Sequence, residues 1–429
     1  MNSKVYKNER IKEELFYKEL DSGLKVYFMP KKGYSKKYAI FATNYGSIDN
    51  IFIPLEGDKE FNVPEGIAHF LEHKLFEEPE ENIFDKFSKA GAYVNAYTNF
   101  NQTAYLFYST DYFYDNLELL VKFVQNPYLT DENVEKEKGI IAQEIKMYED
   151  DPNFRVLFNC LKAMYKSHPV RIEIAGTVES INTITKEDLL KSYNTFYHPS
   201  NMVLFIVGDL NFDEIIDAVN RSEKKVEKLE NNIKRIYPEE PTEINVKLVE
   251  EEMMTSIPLF YMGFKDNNLN LSGKEEVRKD IVTNIILDMI FGPSSRFYNE
   301  LYAEGLIDNS FGAYYTGKKT YGHSLMGGSS IEPKKVYERV IDLIKEPAEK
   351  ILLEEDFNRI KSKNLGGFLM GLNSIEFIAN NFIDLYSLDF LLIDYLNLLE
   401  EIKYKDIVER FNSHINEKNL ALSIIKPPN

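Results

Sequence analysis

Hydrophobic and polar positions along this chain change period several times, and each change marks an element. "LKVYFMPK" (24–31) and "KYAIFATNYGS" (37–47) mix β-branched and aromatic residues with polar ones between turn residues, which predicts two strands. "PEGIAHFLEHKLF" (64–76) has the helical period, and "ENIFDKFSKAG" (81–91) predicts a short helix stopped by Gly91. "AYVNAYTNFNQTAYLFYST" (92–110) reads as two strands joined by a polar turn at Asn99 to Gln102. Two helices follow, over 111–127 and 130–152, the second with Thr130 or Asp131 as its cap and its end set by Pro152. Helical stretches at 154–165 and 185–197 and a strand "NMVLFIVGDL" (201–210) complete a unit of roughly 210 residues.

The segment from Asn220 to Pro241 is charged, poor in aromatics and ends in two nearby prolines, the composition of a linker. Beyond it the order of elements repeats: strand 255–264, helix 275–291, short helix 294–305, strands 309–318 and 320–330, then helices from Lys334 onward. "LTDENVEKEKGII" (129–141) is echoed by "LLEEDFNRIKSKNL" (352–365). The reading is an α+β protein of two homologous domains, 1–219 and 242–429, each a mostly antiparallel sheet packed with helices. Where the first copy has its 66–76 helix, the second reads "NIILDMIF" (284–291), without histidine.

Composition narrows the functional classes. A chain of 429 residues with 44% hydrophobic and 28% charged residues has ample material for more than one core. Its net charge of −18 excludes nucleic acid and anionic membrane surfaces as main partners. Cys160 is the sole cysteine, so neither an intrachain disulfide nor a thiolate metal cluster can form. The first residues lack an apolar signal-like core, and no later run reaches the ~18 uninterrupted apolar residues of a membrane span, so the expected location is cytoplasmic.

Two of only six histidines, His69 and His73, lie four apart in the helical run "GIAHFLEHKLF", with Glu72 between them. Positions i and i+4 share a helix face, so both imidazoles can point at one metal ion. A pair at this spacing alone fits two satisfied core histidines as well, but His-x-x-Glu-His is a zinc-protease signature. A catalytic zinc takes three protein ligands, so the third must come from elsewhere. Glu72 is offset from the pair by part of a turn, a position suited to a base beside an attacking water.

The chain resembles the pitrilysin or insulinase (M16) family of inverzincin metallopeptidases, which includes the mitochondrial processing peptidases. The resemblance is carried by "GIAHFLEH" (66–73), "GAYVNAYTNFNQTAY" (91–105), "EKEKGIIAQEIKMYEDDP" (135–152), "HPVRIEIAGT" (168–177) and "FYHPSNMVLFIVGDL" (196–210). It covers nearly the whole length, is stronger in the N-terminal half, and is best to short bacterial members of two homologous domains. It implies the LuxS/MPP-like metallohydrolase fold and one Zn²⁺ per chain. It also implies a third ligand some seventy residues beyond the second histidine, with another glutamate seven residues upstream of it; Glu144 and Glu137 stand there. Glu137 would orient a ligand or the water, and joins Glu72 as a catalytic candidate. Asn95, Ala96 and Tyr97 would lie along a sheet edge that holds an extended peptide through its main chain.

The implied activity is zinc-dependent endopeptidase action on peptides or short unfolded segments inside a closed chamber. Members with a complete site usually carry Arg and Tyr in a second-domain stretch Leu-Arg-x-x-x-Gly-Leu-x-Tyr. Here "ELYAEGLIDNSF" (300–311) places Tyr302 at the Arg position and Ile307 or Asp308 at the Tyr position. The expected arrangement is therefore a zinc-bearing subunit paired with a homologous zinc-less subunit that supplies the Arg/Tyr pair, with a homodimer as the other arrangement. The competing reading is a catalytically weak peptide-binding or assembly subunit. His168 and His198, each before proline, read as structural; Arg296 reads as ordering a helix; His323 and His414 receive no catalytic role.

Overall fold

A computed structural model describes residues 3–79 and 82–428 and builds them around two open β-sheets. Met1, Asn2 and Asn429, at the ends of the two expected domains, and Glu81, at the start of the expected short helix, lie outside the described residues. The first sheet runs, edge to edge, Lys4–Asn8, Glu13–Glu19, Lys25–Pro30, Met202–Gly208, Lys37–Thr43, Thr103–Ser109 and Ala92–Thr98. The second runs Leu248–Glu252, Leu420–Lys426, Leu259–Lys265, Gly322–Ser329 and Gly312–Gly317. Neighbours are antiparallel except Lys25–Pro30 with Met202–Gly208 and Leu248–Glu252 with Leu420–Lys426. The result is the two-domain α+β fold with mostly antiparallel sheets that the sequence implied.

Within these two sheets, four strands escape the sequence reading. Lys4–Asn8 and Glu13–Glu19 form a hairpin at the first sheet's far edge, where charged residues alternate with Val5, Tyr6, Leu15 and Phe16 and dilute the apolar signal. Leu248–Glu252 is an acidic edge strand, and Leu420–Lys426 is a short apolar run that periodicity alone cannot separate from a helix end. Residues 220–241 begin inside the helix Phe212–Ser222 and then lie docked against the first half. There Tyr237 donates to Asp49 Oδ1 at 2.6 Å, and Arg235 Nε pairs with the same carboxylate at 3.2 Å.

Strand alternation gives both sheets two apolar faces. One face of the first sheet, with Phe28, Phe41, Phe107 and Leu204, packs on helices of its own half. Its other face, with Tyr27, Ile40, Val203 and Phe205, is covered by Ile375–Tyr386 from the second half, through Ile378, Ala379 and Phe382. The second sheet's own helices cover Phe260, Met262 and Phe264, and its opposite face receives Pro152–Met164 from the first half. Each half thus lends a helix to the other's sheet. At Gly263 an added Cβ would stand 2.4 Å from Met164 Sδ, so this strand leaves room for the incoming helix by having no side chain.

The helix Ile67–Leu75 buries Ile67, Phe70, Leu71 and Leu75 and turns His69, Glu72 and His73 away from that core. Its N-terminus is fixed by a contact between two glycines. Gly66 has φ +89°, and a Cβ there would meet the Ala175 carbonyl oxygen at 2.2 Å; Gly176 has φ +76°, and its Cβ would meet the Glu65 carbonyl oxygen at 2.5 Å. Ser180 Oγ donates to that Glu65 oxygen at 2.9 Å. The "IAGT" stretch therefore serves as the seat of the histidine helix.

Gly66→Ala combines left-handed strain with this backbone clash and is expected to cost about 2–4 kcal/mol, read as a lower urea midpoint. Phe382 stacks on Phe205 at 4.1 Å and meets Tyr27 at 5.0 Å. Phe382→Ala is expected to cost about 3–5 kcal/mol in the same measurement, although Phe382 belongs to the other half of the sequence.

Candidate metal centre

The histidine helix Ile67–Leu75 packs against the long helix Asp131–Glu149, which carries Glu137 and Glu144 two turns apart on one face. A capping box at Thr130 and Asn133 fixes the start of that helix, and Asp151 caps the next, Pro152–Met164. Across the gap between the two helices, Glu144 Oε1 lies 3.6 Å from His69 Nε2 and Glu144 Oε2 lies 3.4 Å from His73 Nε2. Both separations exceed an ordinary N–H···O bond. The shorter matches, and the longer exceeds by about 0.2 Å, the spacing of about 3.3–3.4 Å that neighbouring ligands take in a tetrahedral shell with ~2.0–2.1 Å bonds to zinc. Among the described residues, His69, His73 and Glu144 form the one group of three or more His, Cys, Asp or Glu side chains whose donor atoms converge in this way.

The surroundings support that donor set. Glu137 Oε1 accepts from His73 Nδ1 at 3.0 Å, which fixes the ring with Nε2 turned toward Glu144 as the nitrogen that would ligate a metal. Burial, with His73 beside it, pushes His69 down to about 4, leaving that ring neutral. Burial opposes protonation of His73 too, but the hydrogen-bonding carboxylates of Glu137 and Glu144 outweigh it and push His73 up to about 10. Hydrogen bonding to His73 holds Glu144 below the usual carboxylate range, against burial. The donors are two imidazoles and one carboxylate, the set of a catalytic zinc with a position left open.

Glu72 stands outside this trio. Its Oε2 accepts from Thr98 Oγ1 at 2.6 Å, and burial raises the carboxyl above its usual range, against that hydrogen bond. Thr98 ends the strand Ala92–Thr98, which pairs only with Thr103–Ser109 and so forms the edge of the first sheet. The expected substrate residues Asn95, Ala96 and Tyr97 lie on it. Ala96 N–H is met by Asn95 Oδ1 at 2.9 Å, outside the ladder, so Ala96 turns its amide to the open edge while its neighbours face the sheet. Tyr97 points to the other side, where Gln102 Nε2 links its hydroxyl, at 3.4 Å, to Asp384 Oδ1, at 3.1 Å, on a helix of the second half.

Two neighbours of the site were missed from sequence. Thr98 could have been found, because alternation along Val94, Ala96 and Thr98 puts it on the inward face beside the histidine helix. Lys74 was signalled by a charge inside an apolar run, and its side chain proves fully buried. Of the remaining histidines, His168 and His198 cap short turns through Nδ1, accepting from Val170 and Ser200 N–H at 3.1 and 3.2 Å. His323 and His414 are buried in the second half on Tyr165 and Ser324. Arg296 extends into solvent against Glu300 on its own helix. At the positions expected to hold Arg and Tyr, Tyr302 is exposed and stacked on Tyr298, Ile307 is in the core, and Asp308 accepts from Ser310 N–H in a turn.

Comparison with known proteins identifies the family. Residues 59–178 match the family described as Insulinase (Peptidase family M16), and residues 183–364 match the Peptidase M16 inactive domain. The chain is 43% identical over 420 residues to the uncharacterized zinc protease YmfH of Bacillus subtilis strain 168, covering 98% of both chains. It is 21% identical to the probable mitochondrial-processing peptidase subunit beta of Arabidopsis thaliana, over 84% of this chain and 71% of that protein. The crystal structure of a putative M16-like peptidase from Alicyclobacillus acidocaldarius superimposes with a TM-score of 0.93 at 41% identity, over 97% of this chain and 99% of that one. A full-length relative at this identity, together with the two matched regions, shows that the chain belongs to peptidase family M16.

Proposed function

We propose that this chain is a zinc-dependent endopeptidase acting on peptides or short unfolded segments, with His69, His73 and Glu144 as the ligands of one Zn²⁺. The observation that carries the reading is the convergence of His69 Nε2, His73 Nε2 and the Glu144 carboxylate at 3.4–3.6 Å, with Glu137 on the far nitrogen of His73. Zinc, when bound, supplies a Lewis acid that polarises the scissile carbonyl and makes water a nucleophile near neutral pH. The rest falls to the chain's own residues. Glu72 takes the proton of the attacking water and passes it to the leaving amine, and its raised pKa suits a group that has to do both. The edge at Asn95, Ala96 and Tyr97 holds the peptide as an added strand, with Ala96 giving its amide once the Asn95 side chain swings away. Since Thr98 closes that strand and holds Glu72, a peptide aligned on the edge is brought to the base.

Residues 1–219 would form the zinc-bearing domain and 242–429 a metal-less partner domain, joined by the docked segment 220–241. With Tyr302 and Ile307 where Arg and Tyr were expected, the donors for the developing oxyanion have to come from outside the chain. The proposed assembly is a closed chamber made with a homologous, zinc-less subunit; the Arabidopsis relative is itself named as a subunit. The same missing donors favour the second reading, a weakly active peptide-binding or assembly subunit.

Purified wild type is expected to carry about one zinc per chain by metal analysis, and His73→Ala to carry little. Glu72→Gln should keep its zinc and lose about 10²–10⁴-fold in peptide hydrolysis. Alone, the chain is expected to fall about 10²–10³-fold short of its rate with the partner present, the cost of one missing oxyanion donor. A metal-free wild type would overturn the peptidase reading. A homodimer at full rate would overturn the two-subunit assembly, and zinc without hydrolysis under any pairing would favour the binding subunit.

A further inference from the structure

Lys74 follows the second histidine and points the other way, into the protein. Its side chain is 0% exposed, a state lysine reaches only when it is fully paired. It forms an ion pair with Glu77, donates to the Asn133 main-chain oxygen at 3.2 Å, and reaches Glu137 Oε2 at 3.8 Å. Glu137 is itself 6% exposed, and its other oxygen accepts from His73 Nδ1. A continuous chain of contacts therefore runs from Lys74 through Glu137 and the His73 ring to the nitrogen that faces Glu144.

We infer that Lys74 is a positioning residue for the metal centre, holding the Glu137 carboxylate in register so that His73 presents a fixed Nε2 to the metal. The inference rests on the reading of His69, His73 and Glu144 as metal ligands. Without Lys74, the partly exposed Glu77 and the buried Glu137 would lose the ammonium between them, and Glu137 the contact that holds its carboxylate in place. The Glu137 carboxylate would then be free to turn away from His73 Nδ1–H, and the ring would lose the partner that fixes its orientation. The direct repulsion between an ammonium and the metal is offset by Glu77, since the Lys74–Glu77 pair is close to neutral from the metal position. The bond to Asn133 adds a mechanical part: Asn133 belongs to the first turn of the helix that carries Glu137 and Glu144, so Lys74 also sets how that helix sits along the histidine helix.

The test is a double-mutant cycle on zinc affinity in the full chain, measured by competition with a chromophoric chelator. Lys74→Met, which preserves length in a buried slot, should weaken zinc binding about 10–100-fold, the usual cost of losing an outer partner of a metal-ligating histidine. In a Glu137→Gln background the same change should cost almost nothing more, because its effect passes through Glu137. Thermal unfolding of the zinc-free proteins reports any general damage, and Lys74→Gln, with the same expected outcome, replaces the Met variant should that one fail to fold. Unchanged affinity in the Lys74 variant, or a loss that adds in full to that of Glu137→Gln, would overturn the inference while leaving the metal site standing. A wild type that binds no zinc would overturn both.

Discussion

A β-sheet with two apolar faces has to be covered twice, and in this protein neither half of the chain covers its own sheet on both sides. The outer face of the first sheet, with Tyr27, Ile40 and Phe205, depends on Phe382 and its neighbours from residues 375–386. The open face of the second depends on Cys160, Leu161 and Met164 from residues 152–164. This reciprocal cover stabilises the molecule as one unit: taking the halves apart would expose both faces to water at about 25 cal/mol for each Å² of apolar surface.

The exchange also bears on the metal centre. The lent helix Pro152–Met164 follows Asp131–Glu149 after a single capping residue pair, Asp150 and Asp151. Seating the first on the second sheet therefore constrains the axis of the other, which presents Glu137 and Glu144 to the histidines. At the opposite end, the Gly66–Gly176 contact constrains where the histidine helix begins. The three donors belong to two helices, each fixed by a packing contact outside the site, and they converge because those two anchors are mutually consistent. Lys74 and Asn133 tie the helices together between the anchors.

What could be read in the sequence follows from range. His69 and His73 are four residues apart, and helix geometry alone places them together. Glu144 is on another helix, so nothing local could select it from the charges of "EKEKGIIAQE"; family resemblance did, and its carboxylate lies 3.4–3.6 Å from the two rings. The strands Ala92–Thr98 and Thr103–Ser109 were legible because turn residues bracket an alternating pattern, whereas Lys4–Asn8 and Glu13–Glu19 were not, because on this edge charge outweighs hydrophobicity. Exchange of helices could not be read at all. An amphipathic helix declares that it has an apolar face and not which sheet will receive it, and Ile375–Tyr386 gives no sign of being destined for the other half.

That exchange gives the second half a reason to persist. If the halves arose by duplication and the proposed site holds one metal ion, only one copy has to keep its ligands, and the other, with "NIILDMIF" at the matching helix, needs no histidine. Loss of chemistry does not release it from packing, because Phe382 still lies against Phe205 whatever the second half catalyses. On that reading the second half is retained as structure: selection on the first half is enough to preserve residues 375–386, and through them the sheet and helices that hold them in place.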